Sequence, residues 1–171
     1  MPLRVVLALC FAALLTGCGF HLRGNSSGNL PYKTMAIALP ETADVRIWME
    51  RYIKATGQTE IVEEPTQAEA TFQQVSDTRQ KSILSVNAQG RVREYRLHLN
   101  YQFRLVNAKG QEIVPVSEIS LTRDISFNDN NVLAKDLEEG LLWRDMNTEL
   151  VNQIVRRLSI IKPLDPNREQ D

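Results

Sequence analysis

The stretch "YRLHLNYQFRL" (residues 95–105) alternates apolar and polar residues without a break. Successive side chains of a β-strand point to opposite faces, so this pattern predicts a strand with one buried face and one wet face. The predicted buried residues are Tyr95, Leu97, Leu99, Tyr101, Phe103 and Leu105. The stretch therefore predicts the centre of a sheet that is covered on one side.

Turn signals flank this strand on both sides. "NAQG" (residues 87–90) and "NAKG" (residues 107–110) predict hairpin turns, which join it to strands over residues 70–86 and 112–127. Pro115 indicates an exposed or bulged start of the last strand. Its expected inner residues are Ile119, Leu121, Ile125 and Phe127. The result is a meander of three long antiparallel strands.

A helix is predicted to close the domain. "NDNN" (residues 128–131) offers capping side chains, and an apolar stripe recurs every four residues up to Ser159. The stripe consists of Leu142, Met146, Leu150, Ile154 and Leu158. Leu133 and Leu137 are expected to continue it, and Gly140 is a candidate bend.

The start of the domain has a βαβ-like pattern. "MAIALP" (residues 35–40) predicts a buried strand, Thr42 a cap for a helix over residues 43–56, and residues 59–62 a second short strand. Gly57 is expected just past the helix end. The expected core face of this helix consists of Val45, Trp48, Met49, Tyr52 and Ile53. Together these patterns predict an α+β fold: a two-layer sandwich with a mixed, mainly antiparallel sheet and two helices packed on one face.

The first 17 residues have the three-part layout of a secretory signal peptide. A basic start is followed by an apolar run over residues 5–15, which is shorter than the roughly 20 residues that a transmembrane helix needs. The following "LTGC" resembles the bacterial lipobox. That resemblance implies a diacylglyceryl group and an N-acyl chain on Cys18, and no other cofactor is expected. A plain secretory signal with a chance cysteine is the alternative, and Gly19 favours delivery to the outer membrane.

The predicted domain boundaries follow from this cleavage. They are a lipoprotein signal peptide (1–17), a lipidated N-terminus and tether (18–30), an α/β domain (31–162) and a disordered tail (163–171). Because residues 1–17 contain Arg4, removing them leaves 19 of the 20 Lys and Arg residues against 21 Asp and Glu. This near balance argues against nucleic-acid binding. Cys10 is removed with the predicted signal peptide and Cys18 is lipidated, so no cysteine remains for a disulfide.

The sequence contains no recognisable catalytic motif. Its two histidines leave few ways to build a catalytic or metal site, and His98 is expected to be a solvated residue on the wet face. If the "NAQG" turn pairs Val86 with Arg91, Lys81 lies opposite Arg96 and Arg79 opposite His98. Such a cluster of like charges indicates either a polyanionic partner or an ordinary charged surface.

Three short motifs make the chain similar to the LptE family. "GCGFHLRG" (residues 17–24) stands at the lipidation site, "EYRL" (residues 94–97) follows the hairpin turn, and "LAKD" (residues 133–136) opens the last helix. The resemblance spans essentially the whole mature domain. It implies a non-enzymatic lipoprotein of the Gram-negative outer membrane, anchored from the periplasmic side.

The resemblance also implies two partners. One is the β-barrel LptD, which the domain would plug and help to assemble as a heterodimer; the other is lipopolysaccharide, which it would bind for delivery to the outer leaflet. Lys135 matches a lipopolysaccharide-binding position of the family, whereas the hairpin position aligns with Ala88 and the nearest charges are Arg91 and Arg93. The alternative is a structural or chaperone lipoprotein of an outer-membrane complex without its own lipopolysaccharide site.

Overall fold

The computed structural model describes residues 30–128 and 131–160. Its elements, in chain order, are β1 (Thr34–Ala38), α1 (Asp44–Thr56), β2 (Glu60–Ile61), a 3-10 turn (Pro65–Gln67), β3 (Ala70–Val86), β4 (Val92–Val106), β5 (Glu112–Ser126) and α2 (Val132–Ile160). The predicted signal peptide, Cys18, the tether after it and the tail lie outside the described residues. Neither helix of the described part combines the length and apolarity needed to cross a bilayer.

The five strands form one mixed sheet with the order β2-β1-β3-β4-β5. Strand β1 is parallel to both β2 and β3, whereas β3, β4 and β5 are antiparallel neighbours. The βαβ start and the three-stranded meander are therefore both present. The predicted α+β class, with a mixed, mainly antiparallel sheet and two helices, is confirmed.

The core lies between the helices and one face of the sheet. Leu97, Leu99, Tyr101 and Phe103 of β4 are fully buried, as the alternation predicted. Phe103 stacks on Phe72 of β3 with ring centroids 5.4 Å apart. The helices contribute Val45, Met49 and Ile53 from α1 and Met146, Leu150, Ile154 and Leu158 from α2. Burial of these apolar side chains is the main stabilising term in a domain of this size.

Both hairpin turns form where the sequence predicted them. Asn87 Oδ1 accepts hydrogen bonds from the backbone N–H groups of Gln89 (3.0 Å) and Arg91 (2.9 Å). Gly90 has φ 76°, a left-handed conformation that costs glycine little. Pro115 lies at the irregular start of β5, where Leu105 pairs with Val114 but Phe103 pairs with Ser117. An exposed edge strand tolerates both the irregularity and the proline.

The predicted pairing of β3 with β4 is wrong by one residue. Val86 pairs with Val92, Lys81 with Leu97 and Arg79 with Leu99. The reason is the turn: the N–H of Asn87 bonds to the C=O of Arg91 at 2.8 Å, so the loop closes around three residues instead of four. Because side chains alternate along a strand, this shift moves Arg79 and Lys81 to the helix-covered side, away from Arg96 and His98.

Helix α1 differs from the prediction at its start and on its surface. Its N-cap is Ala43, which makes no side-chain cap hydrogen bond, so Thr42 is not the cap. Trp48 is 36% exposed and is therefore not a core residue, although Val45 and Met49 are buried as expected. Gly57 ends the helix with φ 67°, as predicted.

Helix α2 is continuous through Gly140, and its two halves differ in burial. The stripe from Met146 to Leu158 is buried, but Leu133 and Leu137 are 75% and 66% exposed, so they do not continue it. Positions four residues apart advance by 40° around a helix axis, and the first half of α2 turns these leucines away from the core.

Candidate functional site

The hairpin between β3 and β4 positions two of the three predicted site residues. Arg91 and Arg93 are exposed and line a groove of about 490 Å³. The other lining residues belong to the turn, to β4 and to the segment after β5: Asn87, Gln89, Val92, Phe127 and Asn128. The Phe127 N–H donates to the Arg93 C=O at 2.7 Å, which extends the pairing of β4 and β5 past the end of β5.

The third predicted residue, Lys135, lies in the first turn of α2. Its Nζ donates to Ser126 Oγ at 2.9 Å and forms an ion pair with Glu138 at 2.7 Å. Ser126 is the last residue of β5, and it lines a second groove together with Arg93 and Phe127. The structure therefore places Lys135, Arg91 and Arg93 at the same end of the sheet, which we call the hairpin end.

A further basic residue, Lys81, lies at this end, but on the other face of the sheet from the one that the sequence predicted. Lys81 forms an ion pair with Glu139 of α2 and lies over the ring of Tyr95, with Nζ 4.4 Å from the ring centroid. The wrong register had placed Lys81 on the opposite face of the sheet. The signal that would have found it is the glycine at the third position of a three-residue hairpin loop.

Exposed apolar side chains accompany these charges. Leu133, Leu137 and Leu141 recur every four residues along the first half of α2, and they are 75%, 66% and 56% exposed. On β3, Ile83 is 60% exposed and Val86 is 53% exposed. A surface that offers both cations and apolar side chains suits an amphiphile with anionic groups.

Charged side chains on the wet face of the sheet pair with one another or with polar neighbours. Arg96 donates two hydrogen bonds to Asp124, at 2.8 and 2.9 Å, and they hold the pKa of that carboxyl below its usual value. Hydrogen bonds from Gln102 and Asn100 lower the pKa of Glu118 in the same way. His98 contacts Thr122 Oγ1 at 3.2 Å. The like-charged cluster predicted from the wrong register is therefore not present on this face.

The described residues provide no metal-binding constellation. Within residues 30–128 and 131–160, no group of three or more His, Cys, Asp and Glu side chains is arranged to hold a metal ion.

Comparisons with known proteins agree with this fold. The family model LptE, described as "Lipopolysaccharide-assembly", matches residues 32–158. An LPS-assembly lipoprotein LptE from Pectobacterium atrosepticum is 27% identical over 91% of this chain and 84% of its own length. A second one, from Yersinia enterocolitica, is 26% identical over 98% of this chain and 81% of its own length.

Solved structures extend the similarity to three dimensions. The solution structure of an uncharacterized lipoprotein B from Nitrosomonas europaea is 38% identical, with a TM-score of 0.71 over 82% of this chain and 90% of that one. A minor lipoprotein from Acinetobacter baumannii, 20% identical, shares the fold with a TM-score of 0.66 over 81% of this chain and all of that one. The family match over most of the folded domain shows that this chain belongs to the LptE family of lipopolysaccharide-assembly proteins.

Proposed function

We propose that this chain is an outer-membrane lipoprotein, held in the membrane by the lipids on Cys18, that plugs the LptD β-barrel and helps to assemble it. In this proposal it also binds lipopolysaccharide through Lys135, Arg91 and Arg93 and delivers it to the outer leaflet. Family membership and the relatives named LPS-assembly lipoprotein LptE support the proposal. The role is non-enzymatic.

The observation that carries the glycolipid part is the composition of the hairpin end. Lys135, Arg91 and Arg93 come from different elements, and the exposed residues Leu133 and Leu137 lie in the first turns of α2, as Lys135 does. Lipopolysaccharide carries phosphate groups next to acyl chains. An arginine fork binds phosphate in a bidentate manner and a lysine acts as a point charge, while the leucines contact apolar chains.

A second candidate function is a structural lipoprotein that stabilises an outer-membrane complex without binding lipopolysaccharide. The contacts of Lys135 favour it, because this ammonium already bonds to Ser126 and Glu138 and joins α2 to β5. In that case the lysine orients the helix start, and the polar sheet face supplies the contact with the partner.

One purification and one binding assay separate these functions. The lipoprotein is purified from detergent-solubilised outer membranes, and the copurifying protein is examined by gel mobility before and after heating. A heat-modifiable barrel in near-equal amount supports the plug. Recovery of the lipoprotein without a barrel contradicts it.

Lipopolysaccharide binding is then measured for Lys135→Gln, Arg91→Gln and Arg93→Gln, singly and combined in a triple variant. Loss of a charge-assisted hydrogen bond predicts about a tenfold weaker affinity for Lys135→Gln. Arg156→Gln, on the same helix but outside the hairpin end, is the matched control. Unchanged affinity in the triple variant, with copurification of the barrel intact, supports the structural function instead.

A further inference from the structure

A separate cavity of about 350 Å³ lies between the two helices and strand β3. Asp44 and Trp48 line it from α1, and Trp143, Arg144 and Asn147 line it from α2. None of its lining residues belongs to the hairpin end. It is therefore a distinct place in the fold.

One residue that lines the cavity has a buried polar atom without a partner. Asn147 is 6% exposed, and its Oδ1 accepts no hydrogen bond from the described residues. A buried acceptor without a donor is unfavourable, and such atoms are rare in folded proteins. This oxygen is screened from solvent, so a ligand in the cavity reaches it only if the amide rotates.

Two charged side chains of the cavity have no ion-pair partner within the described part of the chain. They are Asp44 and Arg144, and neither side chain appears in a hydrogen bond or salt bridge there. Arg79, which also lines the cavity, is instead held by two hydrogen bonds to Asp77, at 3.2 and 3.0 Å. The cavity thus offers one carboxylate and one guanidinium to a ligand.

The indole rings are positioned by their neighbours. Trp143 Nε1 donates to Glu139 at 3.3 Å, and the guanidinium of Arg51 lies 5.1 Å from the ring centroid of Trp48. Gly140 lies on the same lining, and a Cβ added there would meet nothing within 4 Å. Because glycine has no side chain, this part of the cavity stays open, although glycine is unfavourable in a helix interior.

We propose that this cavity binds a sugar unit that carries an anionic group, either phosphate or carboxylate. The indole rings contact the C–H groups of the sugar, and Asp44 accepts hydrogen bonds from its hydroxyls. Arg144 binds the anionic group. The oligosaccharide of a bacterial glycolipid and a free sugar phosphate or sugar acid share this chemistry.

Tryptophan fluorescence tests the proposal directly, because the chain contains two tryptophans and both line the cavity. The full-length lipoprotein in detergent is titrated with glucose 6-phosphate, glucuronate, glucose and deacylated lipopolysaccharide. We expect a saturable change with the anionic sugars and about tenfold weaker binding of glucose, since it lacks the charged contact. Binding of deacylated lipopolysaccharide tighter than that of either single sugar identifies the glycolipid as the source, and the reverse order identifies a free sugar. The absence of a saturable change with every probe overturns the proposal, and equal binding of glucose overturns its anionic part.

Three variants locate the ligand. Gly140→Leu fills the cavity, Arg144→Gln removes the cation, and Arg156→Gln is the control on the same helix outside the cavity. We expect Gly140→Leu to abolish the fluorescence change, Arg144→Gln to abolish the preference for anionic sugars, and Arg156→Gln to respond like the wild type. A thermal melt checks that Gly140→Leu folds, as the open space around its Cβ predicts. A full response in folded Gly140→Leu places the ligand elsewhere and overturns the proposal.

Discussion

Tyr101 shows how a single side chain limits stability. It is fully buried, and its hydroxyl has no hydrogen-bond partner among the described residues. Burial raises the pKa of this phenol, so it stays neutral at any physiological pH. The sequence predicted its burial but not the missing partner, because only the packed structure determines which polar atoms reach the hydroxyl.

We therefore expect Tyr101→Phe to stabilise the domain. The substitution keeps the ring and removes an unsatisfied hydroxyl, so the free energy of unfolding should rise by about 1 kcal/mol. Urea unfolding measures the change, with Tyr95→Phe, whose residue is only half-buried, as the control. A loss of stability on removing the Tyr101 hydroxyl would mean that it has a partner.

Arg46 joins three elements near the start of the fold. It donates to the Leu39 C=O at 2.8 Å, to Glu50 Oε1 at 2.8 Å and to Glu63 Oε2 at 3.0 Å. The hydrogen bond from Arg46 is the largest cause that lowers the pKa of Glu50 below its usual value of 4.5. Because the folded-state pKa is the lower one, this pair stabilises the fold above about pH 4.5 and the stabilisation is lost as the pH falls through the folded-state pKa.

We expect Glu50→Gln to reduce stability at pH 7 and to have a smaller effect in acid. The loss at pH 7 should be about 1 kcal/mol or less, the range of a partly exposed ion pair. The free energy of unfolding is compared at pH 7 and pH 3, with the exposed Glu41→Gln as control. A difference between Glu50→Gln and wild type that stays constant with pH would rule out the ion pair as its cause.

At the scale of elements, the same glycine-to-alanine change should have opposite effects on the free energy of unfolding at two positions. Gly110 closes the second hairpin with φ 78°, whereas Gly140 lies inside helix α2. In both places an added Cβ would meet nothing within 4 Å. The backbone conformation alone therefore determines the outcome.

We expect Gly110→Ala to lower the free energy of unfolding by about 1 kcal/mol, because a left-handed conformation disfavours a Cβ. Gly140→Ala should raise it by about 1 kcal/mol, the helix-propensity difference. Thermal melts of both variants, each against wild type, measure the two signs. A stabilising Gly110→Ala or a destabilising Gly140→Ala would contradict this assignment.

At the scale of the whole molecule, the lipid anchor proposed on Cys18 determines where the folded domain resides in the cell. We expect Cys18→Ser to lack the acyl chains of the wild type, because it lacks the thiol that accepts the diacylglyceryl group. Several acyl chains on one residue form a lasting anchor. Mass spectrometry of the N-terminal peptide measures this, and Cys10→Ala, within the predicted leader, is the matched control. A wild-type N-terminal peptide without acyl chains would contradict a lipid anchor at this residue.

The sequence by itself determined most of the elements, because the forces that specify them are local. Residues 95–105 alternate along the chain, and Gly90 and Gly110 stand where the turns need positive φ. Residues 146–158 recur at the helical period. The candidate residues Lys135, Arg91 and Arg93 came from family resemblance. The predicted hairpin places Arg91 and Arg93 at one end of the sheet, and β5, which ends there at Ser126, brings Lys135 to the same end.

Only the tertiary structure decided the register of β3 and the burial of each half of α2. A loop shorter by one residue moved Lys81 to the side of Glu139, and the limited extent of the core left Leu133 and Leu137 exposed. It also brought Trp48 and Trp143, 95 positions apart in the chain, to one cavity. The physical reason is that periodicity reports which face of an element is apolar, whereas its neighbours depend on loop closure and packing over the whole chain.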